Sequence, residues 1–144
     1  MQHWFLSYHG KDRDFFTGSE TFTFFDLIPE GLQRALLQRA SLDEREKPVF
    51  LLNCGNALFV LNTTHRFIRI AESDLDSVFY TDFEYHDGFN LIEVKRIKTD
   101  GYLAEFGLAT QSRKIVYWSI PSGRPGFAFW NVTKKCTLIG RKYL

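Results

Sequence analysis

VFLLNCGNALFVLNTTHRFIRI, residues 49–70, decides how the rest of the chain is read. Two apolar runs flank the polar break Asn53 to Asn56, whose Gly55 supplies the backbone freedom a hairpin turn needs. Asn62-Thr63-Thr64 then interrupts the second run, and Arg66 to Ile70 forms a third. Strand, tight turn, strand, polar break, strand is the start of an antiparallel meander.

Working downstream, turn signals recur about every ten residues, as a meander requires. Glu72 to Asp76 reads as a polar loop and Val78 to His86 as a fourth strand, closed by Asp87-Gly88. Leu91 to Lys98 is a fifth strand, closed by Asp100-Gly101, and Tyr102 to Leu108 a sixth. After a turn at Gln111-Ser112-Arg113, Lys114 to Ile120 is the seventh. Pro121 to Pro125 ends strand pairing, and Phe129, Val132, Cys136 and Ile139 follow at spacings of three and four. That stripe predicts an amphipathic C-terminal helix that closes one end of the sheet.

Upstream, Leu32, Leu36, Leu37 and Ala40 keep to one face of a helix and Gln33, Arg34, Gln38 and Arg39 to the other. Pro29 and Glu30 suit its first turn, and it runs to about Ser41. The charged segment Leu42 to Lys47 connects it to the sheet. Before it lies an aromatic arm in which Thr21-Phe22-Thr23-Phe24 alternates at period two. Such an arm packs either on its own domain or on another subunit.

Composition agrees with a β-rich globular domain. The chain has 144 residues, 44% hydrophobic and 24% charged, enough to bury a core as one domain. Fifteen Phe, six Tyr and three Trp make 17% of it aromatic, which favours strands and leaves a surplus that suits an interface. The net charge of +1 provides no global field toward nucleic acid or an anionic membrane. Residues 1–13 lack the apolar stretch of a signal peptide, and no run approaches the roughly 20 residues of a membrane span. Cys54 and Cys136 are far apart, which suggests buried thiols in a reducing cytoplasm, with a disulfide or a reactive thiol as the alternatives.

With these elements in place, the chain resembles the bacterial pleckstrin-homology-like (PH-like) domains. ALFVLNTTHRFIRI, residues 57–70, is similar to their strand, Thr-rich break, Arg and apolar strand. VFYTDF, residues 78–83, is similar to the segment that follows, and residues 29–47 match the helix and acidic connector that lead in. The resemblance covers about residues 29–143. It implies a mainly-β fold, a seven-stranded antiparallel partial barrel capped by a C-terminal helix. It also implies a binding module of uncharacterised function with no chemistry or cofactor of its own. Lipid-binding members carry basic residues in the first hairpin turn, but here that turn is Asn53-Cys54-Gly55-Asn56, which argues against phosphoinositide recognition there.

The expected organisation is therefore a single domain over residues 1–144. It has an arm at 1–28, a helix and connector at 29–47, and a barrel with its helix at 48–144. The expected function is protein–protein interaction or self-assembly in the bacterial cytoplasm, through the aromatic arm and an exposed sheet edge. The alternative is a peripheral anion- or lipid-binding edge made of Lys95, Arg96, Lys98, Arg113 and Lys114, set against edge protection by lysine.

Two local constellations invite chemistry. Asp82, Glu84 and His86 fall at period two, so a regular strand places three metal-ligand types on one face, with Phe83 and Tyr85 turned to the core. The bland alternative is a solvated outer face. His65-Arg66 lies beside two threonines but lacks an evident nucleophile and orienting group, so Arg66 is expected to anchor to a carboxylate or a backbone carbonyl. His3, His9 and the cysteines form no zinc pattern, and no phosphate loop or GxSxG occurs. No catalytic residue, metal or cofactor is assigned.

Overall fold

The computed structural model describes residues 1–2, 5–6, 13–87, 103–112 and 114–143. Within them eight strands and two long helices follow one another. They are β1 (Phe22–Phe24), α1 (Glu30–Ala40), β2 (Pro48–Gly55), β3 (Leu58–Thr63), β4 (Arg66–Ile70), β5 (Leu75–Phe79), β6 (Phe83–Asp87), β7 (Leu103–Thr110), β8 (Ile115–Pro121) and α2 (Gly123–Tyr143). Two antiparallel sheets result, one ordered β1-β2-β3-β4-β5 and one ordered β6-β7-β8. They pack as a mainly-β domain flanked by helices, and among the described residues they do not close into a barrel. The fifth strand expected at residues 91–98 lies outside the described residues.

Three sequence readings are borne out. The first hairpin forms between β2 and β3, but its turn falls at Asn56 and Ala57, both at positive φ (52° and 59°), rather than over Asn53 to Asn56, because Asn53 and Gly55 still pair with β3. In α1, Leu36 and Ala40 are buried, and Leu32 and Leu37 pack with them against Leu51, Leu61, Ile68 and Ile70 of the sheet. In α2, Phe129, Val132 and Cys136 are buried in the main core, with Ile139 packed against it. The five-stranded sheet is thus covered on both faces. One is covered by α1, and the other faces an aromatic core that includes Phe50, Phe67, Phe106 and Phe129.

Two readings change. Val78 to His86 is not one strand but two, because the chain turns at Tyr80, Thr81 and Asp82 from the larger sheet into the smaller. Tyr80 is fully enclosed, and its hydroxyl donates to the carbonyl of Thr63 at 2.5 Å, pinning the corner. Helix α2 closes down on the same corner at Gly140, where a Cβ would sit 2.3 Å from the Tyr80 carbonyl oxygen. The second change is in the arm. Phe22–Phe24 is the first strand of the larger sheet, paired with Leu52, Leu51 and Phe50. Phe5, Phe22 and Phe24 are buried, with Phe5 4.9 Å from both Phe22 and Phe50 between ring centroids. These aromatic residues pack on their own domain.

Candidate functional site

The Thr-rich break after β3 is a structural knot. The Thr63 hydroxyl donates to Glu46 Oε1 at 2.9 Å and accepts from the backbone N–H groups of His65 and Arg66, each at 3.0 Å. Arg66 Nε donates to Glu46 Oε1 at 2.8 Å, and Arg66 Nη2 reaches the carbonyls of Ala40 and Ser41, both at 3.3 Å, at the C-terminus of α1. Arg66 is therefore the anchor its sequence position suggested, satisfying two helix-end carbonyls and a carboxylate with no exposed surface. Burial alone would raise the Glu46 carboxyl. The hydrogen bonds from Arg66, Thr63 and the backbone outweigh it and hold the group below the usual carboxylate range. His65 is a turn residue whose Nδ1 lies 2.8 Å from Thr64 Oγ1.

Asp82, Glu84 and His86 do not share a face. A bulge between Phe83 and Tyr85 inserts one residue into β6, so the side-chain alternation slips by one. Asp82 lies in the corner turn, Glu84 is exposed, and His86 turns inward. Tyr85, expected in the core, is 52% exposed. His86 Nε2 lies 2.6 Å from Thr133 Oγ1 on α2, and its ring packs against Phe83, Phe106 and Trp130 at 5.0, 5.1 and 5.9 Å. Because the Thr133 hydroxyl donates to the Trp130 carbonyl at 2.8 Å, it accepts from His86, which assigns the imidazole proton to Nε2. Burial, and then the nearby Lys134 ammonium, lower the His86 pKa to about 4. No group of three metal-ligating side chains occurs among the described residues.

Of the basic cluster, Lys95, Arg96, Lys98 and Arg113 lie outside the described residues. Lys114 is exposed at the entry to β8, its carbonyl accepting from the Thr110 N–H at 3.0 Å. Both cysteines are free and buried, and burial pushes each thiol up to about 12, far from a reactive thiolate.

The surface that sequence reasoning missed is the outer face of the smaller sheet. Register places Tyr85, Ala109 and Ile115 in one row across its strands, and Asp87, Gly107 and Tyr117 in the next. Tyr85, Tyr117 and Ile115 are 52%, 49% and 40% exposed. The small residues of β7 let the flanking side chains lie flat. The Tyr117 ring passes within 3.0 Å of where a Cβ on Gly107 would stand, and its hydroxyl donates to Asp87 Oδ2 at 2.6 Å. That hydrogen bond, then the little burial and the neighbouring carboxylates, raise the Tyr117 pKa. Helix α2 packs on the opposite side, where His86 and Phe106 meet Trp130 and Phe129. The clue lay in the alternation of Ile115, Tyr117 and Ser119 against Val116, Trp118 and Ile120. For Tyr85 no clue existed, because a bulge leaves no mark in periodicity.

The arrangement is a mainly-β domain with capping helices that, among the described residues, presents an exposed aromatic sheet face. Comparison with protein-family models, with curated proteins and with solved structures returned no match. No helix among the described residues is long and apolar enough to cross a membrane.

Proposed function

We propose that this protein is a non-enzymatic, PH-like binding module of the bacterial cytoplasm that engages another polypeptide through the outer face of the β6-β7-β8 sheet. The observation carrying this reading is the exposure of Tyr85, Ile115 and Tyr117 side by side on paired strands, over Gly107 and Ala109. Tyrosine is the side chain most suited to such a role. It offers a large flat apolar area with a polar tip, and it loses little rotamer freedom on binding. The exposed Glu84 and Glu105 give the patch a polar rim. With Phe22 and Phe24 committed to the core, this face replaces the aromatic arm as the contact surface.

The test compares wild-type protein with the double variant Tyr85→Lys, Ile115→Lys and with Leu138→Lys, a change at an exposed apolar residue of α2. Each is used as bait in a native extract and sized by light scattering, with folding checked by circular dichroism. An association kept by wild type and Leu138→Lys and lost by the double variant supports the reading. A captured protein that the double variant retains as well as wild type does overturns it.

A further inference from the structure

Among the described residues four strands end the two sheets, and three of those edges are closed. β1 is only three residues long and all three are buried. β5 is plugged: the Tyr80 N–H to His65 O and Ala71 N–H to Asp74 O bonds fix the ladder phase so that the Ser77 N–H points away from β4, and Asp76 Oδ1 accepts it at 2.9 Å. The other oxygen of that carboxylate accepts from Trp118 Nε1 at 3.3 Å, holding the plug in place. β6 carries the bulge at Glu84 and lies against α2, to which His86 is bonded.

Among the described residues β8 has none of these devices, and another strand it approaches, β2, does not pair with it. The bond from Thr110 N–H to Lys114 O sets the phase of the β7–β8 ladder, so residues 116, 118 and 120 bond to β7, while the main-chain groups of Ile115, Tyr117 and Ser119 point to the open side. All three residues are exposed, and among the described residues no strand pairs with that side. From Ile115 to Ile120 the strand has no charge, no proline and no bulge, which makes it a template for another strand.

We propose that β8 pairs antiparallel with β8 of a second copy of this chain, about a two-fold axis at Tyr117. This goes beyond the reading of the β6-β7-β8 outer face as a binding surface, because edge-to-edge pairing leaves that face open in both copies. Tyr117 then lies opposite its own copy and Ile115 opposite the second copy's Ser119. About six main-chain hydrogen bonds form, and the outer face becomes continuous across both subunits. The register is self-consistent in charge. The two Lys114 side chains fall at opposite ends of the paired strands, about 20 Å apart along them, so no like charges are juxtaposed. An extended peptide from another protein meets the same main-chain groups, but only a second copy satisfies both strands with one unprotected edge.

Light scattering across a concentration series of the full chain tests this. The expected mass rises to about twice the 16.9 kDa of one chain, and Tyr117→Pro returns it to a single chain. Proline at 117 removes an N–H that β7 does not use, so the fold is retained, as circular dichroism verifies. Independently, Tyr117→Cys is expected to give a disulfide-linked dimer on mild oxidation while Tyr85→Cys, two strands from the edge, does not; the native cysteines are buried and do not compete. A chain monomeric at every concentration, a dimer that survives Tyr117→Pro, or equal crosslinking of the two cysteine variants overturns the pairing. A monomeric wild type that loses another partner on Tyr85→Lys, Ile115→Lys overturns only the pairing and leaves the binding face standing.

Discussion

Replacing Arg66 by methionine strikes the knot that ties α1, β3, β4 and the corner together. The Glu46 side chain, with no exposed surface, keeps only the Thr63 hydroxyl at 2.9 Å and the Asp43 N–H at 3.3 Å once the guanidinium is gone. The carbonyls of Ala40 and Ser41 lose their donor as well, and the guanidinium leaves the Phe79 ring at 5.2 Å. Removing one partner of a buried pair costs about 3–5 kcal/mol, because the other charge stays buried and uncompensated. Against a total stability of about 5–15 kcal/mol, this is a large fraction. For a chain of this size it lowers Tm by about 8–15 °C.

The assay is urea unfolding followed by far-ultraviolet circular dichroism, on wild type, Arg66→Met, Glu46→Leu and the double variant. The double variant is expected to recover most of the loss, since an apolar pair of similar volume removes the stranded charge. The pH dependence carries the same signature. A carboxyl held below its unfolded value stabilises the fold above that value, about 4.3, and the contribution is lost as pH falls through the folded value. That acid-sensitive component should shrink in Arg66→Met. A loss under about 1 kcal/mol in Arg66→Met, or a double variant less stable than Arg66→Met, refutes the reasoning.

Three further outcomes follow from buried groups. His86 titrates near 4 in the fold against an ordinary 6.5, so stability is full above 6.5 and falls toward pH 4. Unfolding free energies from urea melts at pH 7 and pH 5 should differ by about 2 kcal/mol in wild type and much less in His86→Gln. Asn62 is fully buried on β3 between Phe50 and Phe67, with neither amide atom bonded to another protein group, so Asn62→Leu should stabilise by about 1–3 kcal/mol. A destabilised Asn62→Leu protein in the same urea assay would contradict this. Gly140→Val should cost more than about 2 kcal/mol, since its Cβ meets the Tyr80 carbonyl and a backbone cannot yield as a side chain does. A thermal melt within 2 °C of wild type would show that α2 does not close on the corner as described.

What periodicity expresses was legible. The stripes at Leu32, Leu36 and Ala40 and at Phe129, Val132 and Cys136 each follow from one buried face, and the polar break locates the first hairpin, though its turn lies at Asn56 and Ala57. What depends on distant partners was not. Val78 to His86 looks like one strand because both halves alternate; the corner between them is held by the Thr63 carbonyl and by Gly140, far along the chain. The single extra residue at Glu84 then reverses every later side chain of β6, sending His86 inward and Tyr85 outward. The expected metal-ligand face dissolved and the aromatic face appeared for that one reason. Likewise Thr21 to Phe24 reads as extended, but its pairing with Phe50 to Leu52 is a long-range choice that local pattern does not reveal.

Hydroxyl-radical footprinting of the protein in its bound state tests the binding face most directly. Oxidation of Tyr85, Ile115 and Tyr117 is compared between the isolated chain and the chain in complex with a captured partner protein. The account predicts strong protection of all three in the complex, while Phe15 and Leu138, also exposed, react unchanged. Undiminished oxidation of Tyr85, Ile115 and Tyr117 in a complex that protects other residues would contradict it.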